Sequence, residues 1–104
     1  MQRGEVWWAE LPLPAGKRPV LLLSRDKAIQ VRQFAIVAQI TRTIRDIPTE
    51  IYLDQGDGMP RICVVNTDVL LTIRKALLTR RICSLSYEKM ESVNQAVKFA
   101  LALD

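Results

Sequence analysis

The 104-residue chain predicts a mainly β fold, a small and strongly bent sheet or barrel with one helix packed on it. Three observations lead there. Apolar residues fall in short runs rich in β-branched and aromatic side chains, the composition that strands favour. Proline and glycine punctuate those runs, at Pro12, Pro14, Gly16, Gly56, Gly58 and Pro60. Only the stretch after Ser86 repeats its apolar residues at three- and four-residue spacing, as an amphipathic helix does. A chain of this length is expected to form a single domain, 1–104, with one core.

Taken in order, Glu5 to Leu11 is the first strand, and Pro12, Pro14 and Gly16 end it. The short connection implies an antiparallel hairpin with a second strand, Val20 to Arg25. Pro19 cannot donate to a ladder, so it is placed at that strand's first residue, with Lys17 and Arg18 just ahead of it. Asp26 is read as the cap of a short turn, Lys27–Ile29. Phe34 to Thr43 is the clearest strand: Phe34, Ile36, Ala38 and Ile40 share one face and are expected to point at the core. Its other face changes from Ala35 and Val37 to Gln39, Thr41 and Thr43, from apolar to hydrogen-bonding. Thr49 to Leu53 is a short strand, followed by a glycine-rich turn. Ile62 to Val65 is another, closed by Asn66-Thr67-Asp68 as a cap for a turn at Val69–Leu71. A further strand lies at Arg80–Leu85, its inward side being either Ile82 and Ser84 or Arg81, Cys83 and Leu85. The helix starts at the N-cap Ser86, with Glu88 in its first turn and Leu85 stapled to Met90. Met90, Val93, Val97, Ala100 and Leu101 form its apolar stripe.

Composition narrows the function. The formal charge is +4 and the pI about 9.4, which suits a polyanionic partner. The excess is N-terminal, with eight Lys/Arg against five Asp/Glu through Leu53 and seven against six beyond it. Histidine is absent, which removes the usual acid–base side chain near neutral pH. Cys63 and Cys83 lie in apolar runs without metal-ligand spacing and read as reduced, buried small residues. No metal or other cofactor is expected. No window is long and apolar enough for a membrane span, and the start, Met-Gln-Arg-Gly-Glu-Val, lacks a hydrophobic signal region, so a cytoplasmic protein is expected.

Several stretches together resemble the MazF/PemK toxins. They are Arg3-Gly4-Glu5-Val6-Trp7-Trp8-Ala9-Glu10-Leu11, Arg18-Pro19-Val20-Leu21-Leu22, Ala35-Ile36-Val37-Ala38-Gln39-Ile40-Thr41, and Leu85-Ser86-Tyr87-Glu88-Lys89-Met90 with the helix behind it. The resemblance implies an SH3-like barrel, a homodimer and a metal-independent, sequence-selective endoribonuclease for single-stranded RNA. It also implies a cognate antitoxin whose disordered acidic segment covers the RNA groove. The family's catalytic arginine and threonine fall on Arg18 and Thr41. The loop ahead of Arg18 is short and lacks the Gly-Ser-Glu-Gln stretch of many members, which bears on target choice.

Such a site needs a cation for the charge that builds on phosphorus and groups that hold the reacting atoms in line. The guanidinium of Arg18 matches phosphate oxygens and keeps its charge. Thr41 can orient the phosphate or the 2′-hydroxyl but is too weak a base to act alone. Lys17, Arg25, Gln39, Arg42, Thr43, Arg45 and Asp68 are the candidate RNA contacts. Each has a plainer reading: the cations as solvated charges, Gln39 and Thr41 as the wet side of a strand, Asp68 as a cap. A toxin of this architecture that works by protein binding, like the gyrase poison CcdB, is the alternative. That type carries an aromatic C-terminal tip, where this chain has Leu101-Ala102-Leu103-Asp104. A catalytically inactive RNA-binding relative is the third.

Overall fold

A computed structural model describes all residues, 1–104. Six strands form one curled antiparallel sheet: β1 Glu5–Glu10, β2 Lys17–Leu22, β3 Phe34–Thr41, β4 Glu50–Leu53, β5 Cys63–Arg74 and β6 Leu78–Ser84, in the order β4-β5-β3-β2-β1-β6. Two helices complete it, a short α1 at Asp26–Val31 and the terminal α2 at Tyr87–Ala100. No helix is long and apolar enough to cross a membrane.

The sheet carries a core on each face. Val6, Leu21, Ala38, Ile40, Leu53, Val65 and Val93 pack together on the side covered by α2. Ala9, Val20, Leu22, Val37, Ile73 and Leu78 form the second core, which Ile29 of α1 helps to close. Adjacent residues such as Leu21 and Leu22 therefore point to opposite faces and are both fully buried. This is why the strands read as continuous apolar runs instead of alternating ones. It also corrects half of the expected inward face of β3: Ala38 and Ile40 do pack in the first core, but Phe34 and Ile36 do not. Ala35 and Val37 are buried, Val37 within the second core, whereas Phe34 and Ile36 are 44% and 45% exposed, Phe34 lying against the Arg74 guanidinium. For β6 neither alternation holds alone, since Ile82 and Cys83 both pack against the first core. Irregular pairing of β1 with β6 shifts the register twice along that strand and removes a strict period of two.

Local expectations are corrected in three further places. Arg25, not Asp26, is the N-cap of α1, and Asp26 Oδ1 instead accepts from the backbone N–H of Arg3. Asn66-Thr67-Asp68 does not end a strand. β5 runs on to Arg74, and because Ala38 faces Leu70 while Gln39 faces Asn66, the residues Thr67 to Val69 are looped out as a bulge. β2 begins at Lys17, so Lys17, Arg18 and Pro19 are strand residues paired with β1 on one side only. Proline is tolerated there because the strand is an edge over that length.

The helix follows its sequence more closely. Ser86 caps it by accepting from Lys89 N–H at 3.1 Å, and Leu85 and Met90 join the first core. Its buried residues are Val93 and Ala96, flanked by Met90 and Val97, whereas Leu101 lies past the helix end and is exposed. Arg3 ties the sheet to this helix, its guanidinium donating to Leu23 O and Asn94 Oδ1.

Candidate active site

The site begins where two strands part. β2 and β3 pair at Leu22–Val37, Leu21–Ala38 and Val20–Gln39, and there the ladder stops. Carried on in the same register it would set Arg18 opposite Thr41. The strands separate instead, and a cavity of about 610 Å³ occupies the split, lined on this side by Arg18, Pro19, Ile40 and Thr41. Pro19, with no N–H to offer, suits the edge that the split exposes.

Arg18 is half-buried and held by its own loop: Nε donates to Ala15 O at 3.1 Å, which leaves the terminal nitrogens of the fork uncommitted. Thr41 Oγ1 accepts the backbone N–H of Thr43 at 3.2 Å. With its oxygen engaged in this way, the hydroxyl proton is the part free to reach a ligand, so Thr41 is set up as a donor. The ammonium of Lys17 sits 5.2 Å from the centre of the Trp8 ring, and both residues line the cavity. Arg42 joins them from the residue after Thr41. No carboxylate lines the cavity. Its only thiol, Cys63, is pushed up to about 11 by burial, with the charges of Cys83 and Asp57 adding to the effect. That thiol is protonated at neutral pH and offers neither nucleophile nor base.

The candidates divide accordingly. Lys17, Arg18, Thr41 and Arg42 converge on one cavity. Arg25 stands at the far end of β2, at the start of α1. Gln39 lies in a cross-strand row with Asn66 and Glu50, outside the cavity lining. Thr43 acts through its backbone on Thr41. Arg45 lies in the loop after β3, where its N–H donates to Glu50 Oε1. Asp68 Oδ2 is taken by the hydroxyl of Thr49 at 2.6 Å. Arg61 was missed. With Met59 and Pro60 it forms another part of the cavity lining, contributed by the loop between β4 and β5. The signal was present: a cation beside a proline and just ahead of the apolar run of β5, as Arg18 stands beside Pro19 ahead of Val20, with proline and arginine in the opposite order.

Comparison with known proteins bears on the family of the whole chain. Residues 2–101 match the family model of the PemK-like, MazF-like toxin of type II toxin-antitoxin systems. The probable endoribonuclease MazF5 of Mycobacterium tuberculosis is 40% identical over 100 residues, covering 95% of this chain and 91% of that protein. Among solved structures, the Mycobacterium tuberculosis toxin MazF-mt6 superposes with a TM-score of 0.88 at 31% identity, covering 96% of this chain and 98% of that one. A mycobacterial endoribonuclease in complex with its cognate antitoxin gives 0.89 at 26%, covering 100% and 97%. A family model spanning nearly the whole chain, and relatives alike over their full lengths, establish that this chain belongs to the PemK-like, MazF-like toxins.

Proposed function

We propose that this chain is the toxin of a type II toxin–antitoxin pair and that it cuts single-stranded RNA, so stopping translation and growth. The observation that carries the reading is the meeting of Arg18 and Thr41 at the split between β2 and β3, each with donors left over and aimed into one cationic cavity. In the reaction, the RNA's own 2′-hydroxyl gives its proton to water as its oxygen attacks the adjacent phosphorus, and the bond from phosphorus to the 5′-oxygen breaks as that oxygen takes up a proton from water. The 5′ fragment keeps a cyclic phosphate, or the 3′-phosphate formed from it, and the 3′ fragment leaves with a 5′-hydroxyl. Arg18 neutralises the charge that builds on the non-bridging oxygens, and the Thr41 hydroxyl donates to one of them, holding phosphorus in line. The donor set of guanidinium, ammonium and hydroxyl supports a metal-independent route.

The partners follow from the same surface. A basic cavity attracts a flexible acidic segment, and the mycobacterial relative in complex with its cognate antitoxin supports regulation by an antitoxin. The toxin acts as a homodimer in the cytoplasm. The test is incubation of purified protein with a long single-stranded RNA in EDTA, followed by mapping of the ends. Discrete cuts with cyclic or 3′-phosphate termini are expected. Cutting that vanishes in EDTA and returns with magnesium overturns the mechanism.

A further inference from the structure

The cavity of about 610 Å³ has the volume of a site for a whole small-molecule ligand, more than one phosphate fills. Arg18 and Thr41 occupy its strand side. Met59, Pro60 and Arg61 line it from the loop between β4 and β5, which leads into β5 where Val64 pairs with Thr41. Arg61 is exposed and makes neither an ion pair nor a side-chain hydrogen bond with the rest of the chain. It is a guanidinium with its whole fork unspent. Building on the nuclease reading, we propose that Arg61 holds the phosphate next to the one being cut, so that the loop Asp54–Ile62 forms a second nucleotide subsite with Met59 and Pro60 as its apolar floor.

What makes this more than a loose surface cation is how the loop is fixed. Asp54 Oδ1 accepts from Gly56 N–H at 2.8 Å, and Asp57 Oδ2 accepts from Asp54 N–H at 2.9 Å, a reciprocal capping box around the single helical turn Gln55–Asp57. Lys89 of α2 reaches over it, its ammonium 3.5 Å from Asp57 and donating to Tyr52 O at 3.0 Å. Gly58 then turns the chain at φ +99° with its backbone pressed on β6, where an added Cβ would lie 2.6 Å from Cys83 Cβ. Met59 follows, buried, with its sulfur 3.7 Å from Cys83 Sγ. The main chain leading to Arg61 is thus anchored to both α2 and β6. Little ordering remains to be done when RNA arrives, so a contact made from it is strong for its size. The fork geometry of guanidinium selects a phosphate over a base edge of mixed polarity.

The test uses a short RNA that carries a 2′-deoxy nucleotide at the cut site, so that binding is measured without cleavage. Single uncharged methylphosphonates then replace each phosphate in turn. With the parent RNA, Arg61→Ala is expected to bind about 10-fold more weakly, as for one lost charge-assisted contact, with Arg61→Lys in between. One methylphosphonate flanking the cut is expected to weaken wild type by a similar factor and to have no further effect on Arg61→Ala. Cleavage of the unmodified RNA by Arg61→Ala should show a raised KM with kcat within about three-fold, since the contact is equal in ground and transition states. Losses that add at every position, or a kcat defect without weaker binding, overturn the subsite while leaving the nuclease reading intact. Wild-type protein that neither binds nor cuts RNA overturns that reading, and the subsite with it.

Discussion

At the open end of β2 and β3 the polar groups have hydrogen-bonding capacity left over; at the bulge of β5, close by along the same sheet, it has been used. Arg18 spends one nitrogen on Ala15, and Thr41 spends its oxygen on Thr43, which orients both and leaves donors free. In the bulge, the Thr67 hydroxyl and N–H both donate to Thr49 O, the Thr49 hydroxyl donates to Asp68, and the Asp68 N–H donates to Asn66 Oδ1. Glu50 Oε1 likewise takes the amides of Arg45 and Asp46, although its Oε2 is buried without a donor. Both regions have the residue types of a binding site. What separates them is how many of their bonds are already made within the chain. A ligand can compete for the first set at little cost, whereas it would have to break folded structure to reach the second.

The largest effect that can break this contrast is on Arg18. Arg18→Ala is expected to lower the cleavage rate by at least ~10²-fold, the scale of one lost transition-state stabiliser. Arg18→Lys should recover only part of it, having charge without the fork. Circular dichroism and thermal melts are the check that the variant is folded; near wild-type cutting by folded protein would remove Arg18 from the chemistry. Thr41→Val comes next. It keeps shape and strand propensity and deletes the free donor, so a loss of about 10- to 100-fold is expected, as for a hydrogen bond to a charged group. An unchanged rate constant under single-turnover conditions would reduce Thr41 to a wall residue.

These two positions were legible in the sequence for physical reasons. Pro19 set Arg18 at the start of a strand, although the structure makes that stretch an edge paired on one side only, and the change from Val37 to Gln39 and Thr41 marked where β3 leaves the apolar interior. The resemblance then singled out these same two residues. Other parts were not legible. Phe34 and Ile36 were assigned inward on a rule that holds for a sheet with one buried face, and this sheet has two cores. Asn66 to Asp68 carry the side chains of a cap, and only the pairing of β3 with both halves of β5 turns them into a bulge. Arg61 was lost because Gly58 and Pro60 suggested only a break. The close contact of Gly58 with Cys83, which makes that break a fixed wall, joins residues 25 apart in the chain.

Thr67→Val tests the other side of the contrast. Thr67 is 1% exposed, and the substitution removes one of two donors to Thr49 O. A destabilisation of about 1 kcal/mol is expected, or about 4–8 °C in Tm for a domain of this size, with the cleavage rate of the folded protein unchanged. A rate loss without a stability loss would mean that the bulge takes part in function.

A smaller effect is expected from Cys63. Its thiol ionises near 11 in the folded chain against 9.0 ordinarily, mainly because it is buried. The unfolded chain therefore loses this proton first, and stability that is complete below pH 9 falls as pH rises towards 11. Urea midpoints at pH 8 and pH 10.5 measure the drop, and Cys63→Ala should flatten part of it. An equal drop in the variant would assign the alkaline loss to other groups. Cleavage should not follow this titration below pH 9, since a protonated thiol at the cavity floor has no part in the proposed chemistry.

The smallest expected effect is none, and it bears directly on the contrast. Asp68 has the chemistry to read a base: a carboxylate accepts from exocyclic amines, and the residue is exposed. Yet Oδ2 already takes the Thr49 hydroxyl at 2.6 Å, and the Asp68 main chain is fixed by Asn66 in the bulge. Turning that carboxylate towards RNA would leave the Thr49 hydroxyl without its acceptor at a residue that is 6% exposed. The cost is of the same order as the gain from one base contact. Asp68→Asn keeps an oxygen for Thr49 while it removes the charge and turns the other acceptor into a donor, and with the carboxylate committed to Thr49 the pattern of cut sites on a long RNA should stay the same and the rate should stay within about two-fold. A changed cut-site preference in Asp68→Asn, at normal stability, would show that the carboxylate does reach the RNA. Capacity spent within the chain would then no longer separate the two regions, and the bulge would have to be counted as part of the binding surface.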